Sequence, residues 1–410
     1  MTRTAVRSYT VGIDWASDHH DVCVLEDTGS VVTAFQIPHS AAGLAELDAR
    51  LRRLAAPGSL RVGIERPSGL LVDTLLDRGY VVIPIHPNAL HASRPRYHAA
   101  RVKSDTDDAY IVADLLRTDG HRFAPLLAPS ETTRALRAAV RTRDDLVGTR
   151  VQLANQLRSL LESFWPGAAA IFADIDSPIA LSFLEHYPSP EHASRLGEAR
   201  LKRFLVRHHY CGRRSPTALL ARLRAAPLGQ AGPLECETKG QLVLALVNVL
   251  RPLVLQLKDL DSMLAAHLAQ HPDGALVQSF PRTGSVNAAQ LLAELGEDRR
   301  RFSSPAQLAA EAGVAPVTRS SGKHRTVACR FACNKRLRAA VTTWADNSRH
   351  GHAWAAAVYA RARSRGCDHP HAVRILAAAW LRVLWSCWQH HVSYNPTRHG
   401  NAQPFLPKAA

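Results

Sequence analysis

Apolar residues in the first part of the chain fall into short runs interleaved with stretches of helical spacing. The run 9–14, YTVGID, reads as a strand that ends in a carboxylate, and DVCVLED and VVTAFQI, joined across Gly29, read as two more. Over 44–54, Leu44, Leu47, Leu51 and Leu54 share one helical face. LRVGIE is a further buried strand closing on Glu65; RPSG then turns into the helix LLVDTLLDRG, and YVVIPI returns as a strand. This alternation predicts an α/β domain over residues 1–125.

The middle of the chain reads as helix. A pattern over 130–165 starts with Ser130 as N-cap and carries Leu136, Val140, Val147, Val151 and Leu161. A second, over 238–270, is interrupted by Pro252, where a kink is expected. Helices this long form an antiparallel pair or coiled coil suited to dimerisation, or else the core of an ordinary bundle. Between them RLKRFLVRHHYCGRRSPTALLARLR is strongly basic, a further candidate nucleic-acid surface. The expected organisation is therefore an α/β domain (1–125), a helical coiled-coil middle (126–272) and a mainly α C-terminal domain (273–410).

Charge adds a partner to this picture. The 410 residues carry 51 Lys plus Arg against 35 Asp plus Glu, a formal charge of +16, and nucleic acid is the default polyanion for such a chain. An Arg-rich proteome alone would also raise the total, but here the charge is clustered. No apolar run of about 18 residues is free of charge, so no membrane span is expected. The N-terminus has no apolar signal segment, which predicts a cytoplasmic protein. Seven scattered cysteines with no CxxC do not make a disulfide framework. His208, His209, Cys211, His390 and His391 are read as solvated or stacking side chains, not zinc ligands.

Against this excess of cations, KSDTDDA (103–109) places Asp105, Asp107 and Asp108 within four residues. The AYIVADLLR that follows is helical, with Ala109, Val112, Ala113 and Leu116 on its apolar face, so Asp105 and Asp108 lie together on the first turn. Acids at a helix start have a structural explanation in capping and the helix dipole. Asp14 and Glu65, however, stand at carboxyl ends of strands, where open α/β sheets gather their functional groups. Each also has a structural reading, Asp14 as a cap and Glu65 as a partner of Arg61 or Arg66. Together the four carboxylates can hold two Mg²⁺ about 4 Å apart for in-line phosphoryl transfer. Residues 80–103 hold no acid but carry Arg94, Arg96, Arg101, Lys103 and Tyr97, a basic arm that can bring a phosphodiester to the metals.

A second run without acids lies between Glu311 and Asp346, with seven Lys or Arg. Arg319, Lys323, Arg325, Arg330, Lys335 and Arg336 are its candidate nucleic-acid contacts. RSSGKHR places Ser320 and Ser321 beside Gly322 within it. A serine there is a turn residue unless another group takes its proton and stabilises the departing charge.

GIDWA, GIERPSG, KSDTDDA and RSSG, in this order and spacing, together with RFSSPAQLAAEAGVAP and CNKRLRAAV, resemble the two-domain DEDD transposases of the bridge-RNA-guided insertion-sequence family, which includes the Piv-type DNA invertases. The resemblance runs over nearly the whole chain. It implies an RNase H-like (RuvC-like) first domain binding Mg²⁺ through Asp14, Glu65, Asp105 and Asp108, and a C-terminal transposase domain whose nucleophile is Ser321, with Ser320 its neighbouring alternative. It further implies double-stranded donor and target DNA, a structured guide RNA, and a homodimer or homotetramer. Two positions depart from the family pattern: its usual Pro-Gly-Ile-Gly turn reads PRTG here, and Asp107 adds a rival ligand before the last acid. A metal-dependent nuclease or junction resolvase needs the acids without the serine, and a non-catalytic nucleic-acid-binding protein needs neither.

Overall fold

Strand β1 (Tyr9–Trp15) buries Thr10 to Ile13 on both of its faces and so becomes the centre of a five-stranded sheet. The computed structural model describes residues 8–97, 105–227, 229, 231–322 and 324–401, which divide into two units, Met1–Ser130 and Glu131–Ala410. In the first, β2 (His19–Glu26) and β3 (Val31–Pro38) follow β1 as an antiparallel meander. After α1 (Ala41–Arg52), strand β4 (Leu60–Ile64) enters parallel to β1 on its other side. Helix α2 (Leu70–Asp77) then leads to β5 (Val81–Pro84), parallel to β4. The order is β3-β2-β1-β4-β5, mixed in direction. Every strand read from the sequence is present.

The two faces of this sheet are packed differently. Val11, Ile13, Val62 and Ile64 meet Leu44, Leu47 and Leu51 of α1 and Leu71, Val72 and Leu75 of α2 in one core. The opposite face, after α3 (Pro87–Ser93), receives α4 (Asp105–Asp119). There the sheet presents Gly12 and Gly63, which are register partners. A Cβ on Gly12 would lie 2.0 Å from the carbonyl oxygen of Ala109 and 2.4 Å from the amide nitrogen of Ala113, and one on Gly63 would lie 2.8 Å from Val112. Backbone therefore meets backbone at β1. The small, apolar face predicted for α4 is the face that makes this contact: Ala109, Val112, Ala113 and Leu116 are all buried.

The direction of α4 follows from its far end. Arg117 donates to the carbonyl of Asp27, at the turn after β2, at 3.2 Å, and Gly120 lies against Arg61 near the start of β4. The C-terminal end of α4 is thus at the amino ends of β1 and β4. Its first turn, with the three aspartates, is at their carboxyl ends.

In the second unit α5 (Glu131–Glu162) begins directly after Ser130. Short helices α6 (Pro166–Ala170) and α7 (Pro178–His186) and the basic pair α8 (Glu198–Arg207) and α9 (Pro216–Ala225) lead to α10 (Pro233–Gln270). The buried positions Cys236, Gly240, Val243, Val247 and Leu250, continued by Leu257, Leu264 and Leu268, follow a 3-4 spacing, the heptad signature of a coiled-coil seam. Leu136 and Val140 share a core with Leu264 and Leu268, and Leu157 and Leu161 share another with Val243 and Val247. The two long helices therefore pair antiparallel within one chain. Arg143 donates to Asp261 at seam positions, a polar pair of the kind that fixes register. Helix α10 runs through Pro252, and both Pro252 and Asn248, whose carbonyl the ring frees, are exposed to water. By length and composition α10 could cross a membrane, with an apolar window of mean hydropathy 1.6. It carries Arg251 in an ion pair with Glu185 at 2.7 Å.

The basic stretch between the long helices is amphipathic: Leu201, Phe204, Leu205, Leu219 and Leu223 enter the core. The remainder is helical apart from one hairpin. Helices α11 (Gly274–Gln278), α12 (Gly284–Leu295) and α13 (Pro305–Glu311) precede strands β6 (Val317–Ser321) and β7 (His324–Ala328). Then come α14 (Lys335–Ser348), α15 (Ala353–Ser364), α16 (His369–Gln389) and α17 (Pro396–Asn401). Trp344, Trp380 and Trp388 are fully buried among them. In the PRTG turn, Arg282 adopts φ 59°, the left-handed region that glycine enters without strain. The departure from the family pattern keeps a glycine-like backbone.

Gly12→Val should destabilise the first unit by about 1–3 kcal/mol or more, because α4 must lift from β1. Hydrogen exchange will show the loss of protection concentrated in α4; unchanged α4 protection would mean the contact is dispensable.

Candidate active site

The strand register fixes two of the acids. Ile13 pairs with Ile64, so Asp14 and Glu65 are the next residues on adjacent parallel strands. Side chains alternate along a strand, so Asp14 projects on the face of Gly12, toward α4. Both acids are half-buried. The structural reading of Glu65 does not hold: among the described residues it has no ion pair. Arg66 instead lies over the Trp15 ring at 4.2 Å, and Arg61 packs against Gly120.

A further carboxylate, Asp21, stands opposite Asp14 across the β1–β2 ladder and is therefore on the same face. Sequence reading missed it. The signal was the period-two pattern of HHDVCVLE, which puts Asp21, Cys23 and Leu25 on the α4 side. Beside it the fully buried His20 bonds His39 through Nε2 and Nδ1 at 2.8 Å. Burial and the neighbouring His39 lower the His20 pKa to about 4, so His20 is neutral at physiological pH.

The α4 turn completes the arrangement. Asp108 is buried and is held by a bidentate ion pair with Arg94, Nε to Oδ1 at 3.1 Å and Nη2 to Oδ2 at 2.8 Å. The side chain of Asp105, with Arg101 and Lys103, lies outside the described residues. Among those described, no three His, Cys, Asp or Glu side chains are arranged to hold a metal. The donor set is nonetheless chemically suited to a hard divalent cation, since it is all carboxylate oxygen. Arg94 supplies the positive charge that Asp108 needs when buried.

The basic arm is less free than its sequence implied. Arg94 is committed to Asp108, and Arg96 lies 3.6 Å from Asp119. Tyr97, a candidate for stacking or phosphate contact, turns inward: its hydroxyl donates to Asp114 at 2.7 Å and its ring packs edge-on to Tyr110.

Ser321 ends β6. It pairs with His324 across a two-residue turn containing Gly322, φ 55°, the αL glycine that tight hairpin turns favour. Ser320 pairs with Arg325 and Arg319 with Thr326, so Ser321, His324 and Arg319 share one face while Ser320 and Arg325 share the other. All five are exposed. The segment read as a basic turn is thus the tip of a projecting hairpin.

Residues 11–166 match the DEDD IS110 family model, described as "Transposase", and residues 274–360 match the "Transposase IS116/IS110/IS902 family". The protein named "Mini-circle putative transposase for IS117" of Streptomyces coelicolor is 36% identical over 400 residues, covering 94% of this chain and 95% of its own. The chain belongs to the IS110/IS116 transposase family. Similarity extends at 28% identity to the insertion element IS900 uncharacterized 42 kDa protein of Mycobacterium paratuberculosis, over 94% of this chain and 96% of that one. The insertion element IS116 uncharacterized 44.8 kDa protein of Streptomyces clavuligerus is 27% identical with the same coverage.

In this transposase the C-terminal cations divide into two groups. Arg336 binds Asp145 at 2.7 Å, which raises its pKa, so it staples α14 to α5. Arg319, Arg325 and Lys335 are exposed, Arg330 is half-buried with Nε lacking a partner, and Lys323 lies outside the described residues.

Replacing Arg94 with Gln should lower stability by about 1–3 kcal/mol, because it leaves a buried carboxylate without its cation. Arg94→Lys should recover only part of this, having no planar fork. Thermal melts of the three proteins check the order; equal melting would mean that Asp108 needs no partner.

Proposed function

We propose that the protein is an insertion-sequence transposase that cuts and rejoins DNA using Mg²⁺ held by Asp14, Glu65, Asp105 and Asp108 and the hydroxyl of Ser321 as nucleophile. The observation that carries this reading is the meeting of Asp14, Glu65 and the first turn of α4 at one end of the sheet. That mixed sheet, with a carboxylate at the end of its central strand, supports an RNase H-like, RuvC-like assignment of the first unit. When bound, Mg²⁺ supplies charge neutralisation at the phosphate; the chain supplies the rest.

Ser321 Oγ attacks phosphorus, an Oγ–P bond forms, and the bond from phosphorus to a deoxyribose oxygen breaks. The serine proton needs an acceptor, and the imidazole of His324, paired with Ser321 across the hairpin, supports the reading in that role. Arg319 on the same face carries charge suited to the phosphate. The phosphoserine ester retains the energy of the broken phosphodiester, so rejoining needs no ATP. The exposed cations Arg319, Arg325 and Lys335 contact backbone, not base, which suits an enzyme whose sites are chosen by pairing to a structured guide RNA.

Assembly as a homodimer or homotetramer is supported by the exposed stripe Leu242, Val249 and Met263 on α10. The reaction places the protein in the cytoplasm with the nucleoid DNA.

The test is covalent trapping: protein, Mg²⁺, the flanking non-coding RNA of the element and labelled donor and target DNA, resolved on a denaturing gel. A protein–DNA adduct is expected from the parent and from Ser320→Ala, and none from Ser321→Ala. Cleavage without adduct, unaffected by Ser321→Ala, would replace this reading with a metal-dependent nuclease.

A further inference from the structure

One cavity of the second unit is not used by anything described so far. It measures about 590 Å³ and lies between α15, α16 and the base of the β6–β7 hairpin. From α15 it takes Trp354, Val358 and Arg361, with Arg365 just beyond the helix, spaced i, i+4, i+7, i+11. From α16 it takes His371, Arg374, Ile375, Ala378, Ala379 and Arg382, the i, i+3, i+4, i+7, i+8, i+11 pattern of one helical face. On α16 this stripe is separate from the core stripe of Val373, Leu376, Ala377, Trp380 and Leu381. The helix therefore has two built faces.

The chemistry of the second face is unusual for a solvated surface. Its centre is small and apolar, Ile375, Ala378 and Ala379, with guanidinium groups above and below. Arg330, from the strand base, adds a fifth to Arg361, Arg365, Arg374 and Arg382. Among the described residues none of the five forms an ion pair and no carboxylate lines the cavity. Elsewhere arginines are commonly paired, as Arg94, Arg117, Arg251, Arg299, Arg336 and Arg349 are. The buried Nε of Arg330 is without a partner among the described residues. Surface arginines merely dissolved in water would not need a concave apolar floor between them.

We infer that this cavity binds an unpaired nucleotide of a nucleic-acid strand, its base or sugar on the Ile375–Ala378–Ala379 floor beside Trp354 and its flanking phosphates on Arg361, Arg374 and Arg382. The volume suits a small ligand and is too confined for a stacked duplex, whereas unstacked bases enter such sites against aromatic and arginine side chains. DNA and RNA share this chemistry. The cavity adjoins Val327 and Ala328 of the strand that pairs with the Ser321 strand, so a nucleotide held there anchors a strand at the root of the hairpin. This rests on the proposed nucleic-acid partner and extends it to a particular site.

The experiment is fluorescence anisotropy of short labelled single-stranded DNA and RNA of one sequence, with the full-length protein, over a series of salt concentrations. Arg374→Ala combined with Arg382→Ala should weaken binding by on the order of tenfold or more. It should also make the slope of log K against log salt shallower by about 1.4, two single-strand phosphates at about 0.7 each. Ala378→Phe, which fills the floor without changing charge, should weaken binding with the slope unchanged. The strand that loses affinity, DNA or RNA, identifies the occupant. Affinity and slope equal to the parent's in both variants, with unchanged melting, would overturn the site while leaving the transposase reading intact. A parent that binds neither strand would overturn the site, while the transposase reading stands or falls on covalent trapping.

Discussion

The close approach of α4 to β1 is the constraint on which the candidate site depends. Gly12 has no side chain to hold the helix off, and Ala109 and Ala113 have almost none, so the helix axis lies nearer the sheet than a Val or Leu would permit. Because α4 runs antiparallel to β1, its amino end meets the carboxyl ends of β1 and β4, and three aspartates from one short segment arrive beside two strand-end acids. Neither the strand motif nor the aspartate motif makes a site alone.

Gathering carboxylates in this way has an electrostatic cost that the fold meets with arginine. Asp108 takes Arg94 and Asp114 takes the Tyr97 hydroxyl and, one turn on in the same helix, Arg117, so both buried acids of α4 are hydrogen-bonded. The same device recurs in the second unit, where Glu294 is buried yet held below the usual carboxylate range; Asn334 and Arg141 overcome the opposing effect of burial. Acids are scarce in this chain, and those that are buried are placed on specific cations. The arginines left over, among them those around the cavity of α15 and α16 and on the hairpin, are available to a polyanion. Net charge of +16 thus understates how uneven the distribution is.

Much of this was legible beforehand because periodicity reports burial. The five strands, the Ala109–Leu116 face and the two long helices all follow from apolar spacing, and the positions of Asp14 and Glu65 follow from where their strands end. What spacing could not reveal was pairing across distance. Arg94 reads as a phosphate contact until its partner is seen to be Asp108, fourteen residues away, and Tyr97 reads as a stacking residue until its hydroxyl is found on Asp114. Asp21 was hidden because a lone acid in a strand gives no signal without its ladder register. The hairpin escaped notice because β6 and β7 are exposed on both faces and have no alternation to read. The arginines of α15 and α16 were likewise passed over, since they lie on a second, mixed face that apolar spacing does not report.

The central claim is that the carboxyl end of the first sheet is a divalent-metal site. The most direct measurement is a Mn²⁺ titration followed by the electron paramagnetic resonance signal of the free ion, on the parent and on Asp105→Asn combined with Asp108→Asn. The account predicts that the parent removes Mn²⁺ from solution saturably, that Mg²⁺ displaces it, and that the double variant, still folded, leaves the free signal undiminished. Equal depletion by both proteins, or none by the parent, would contradict it.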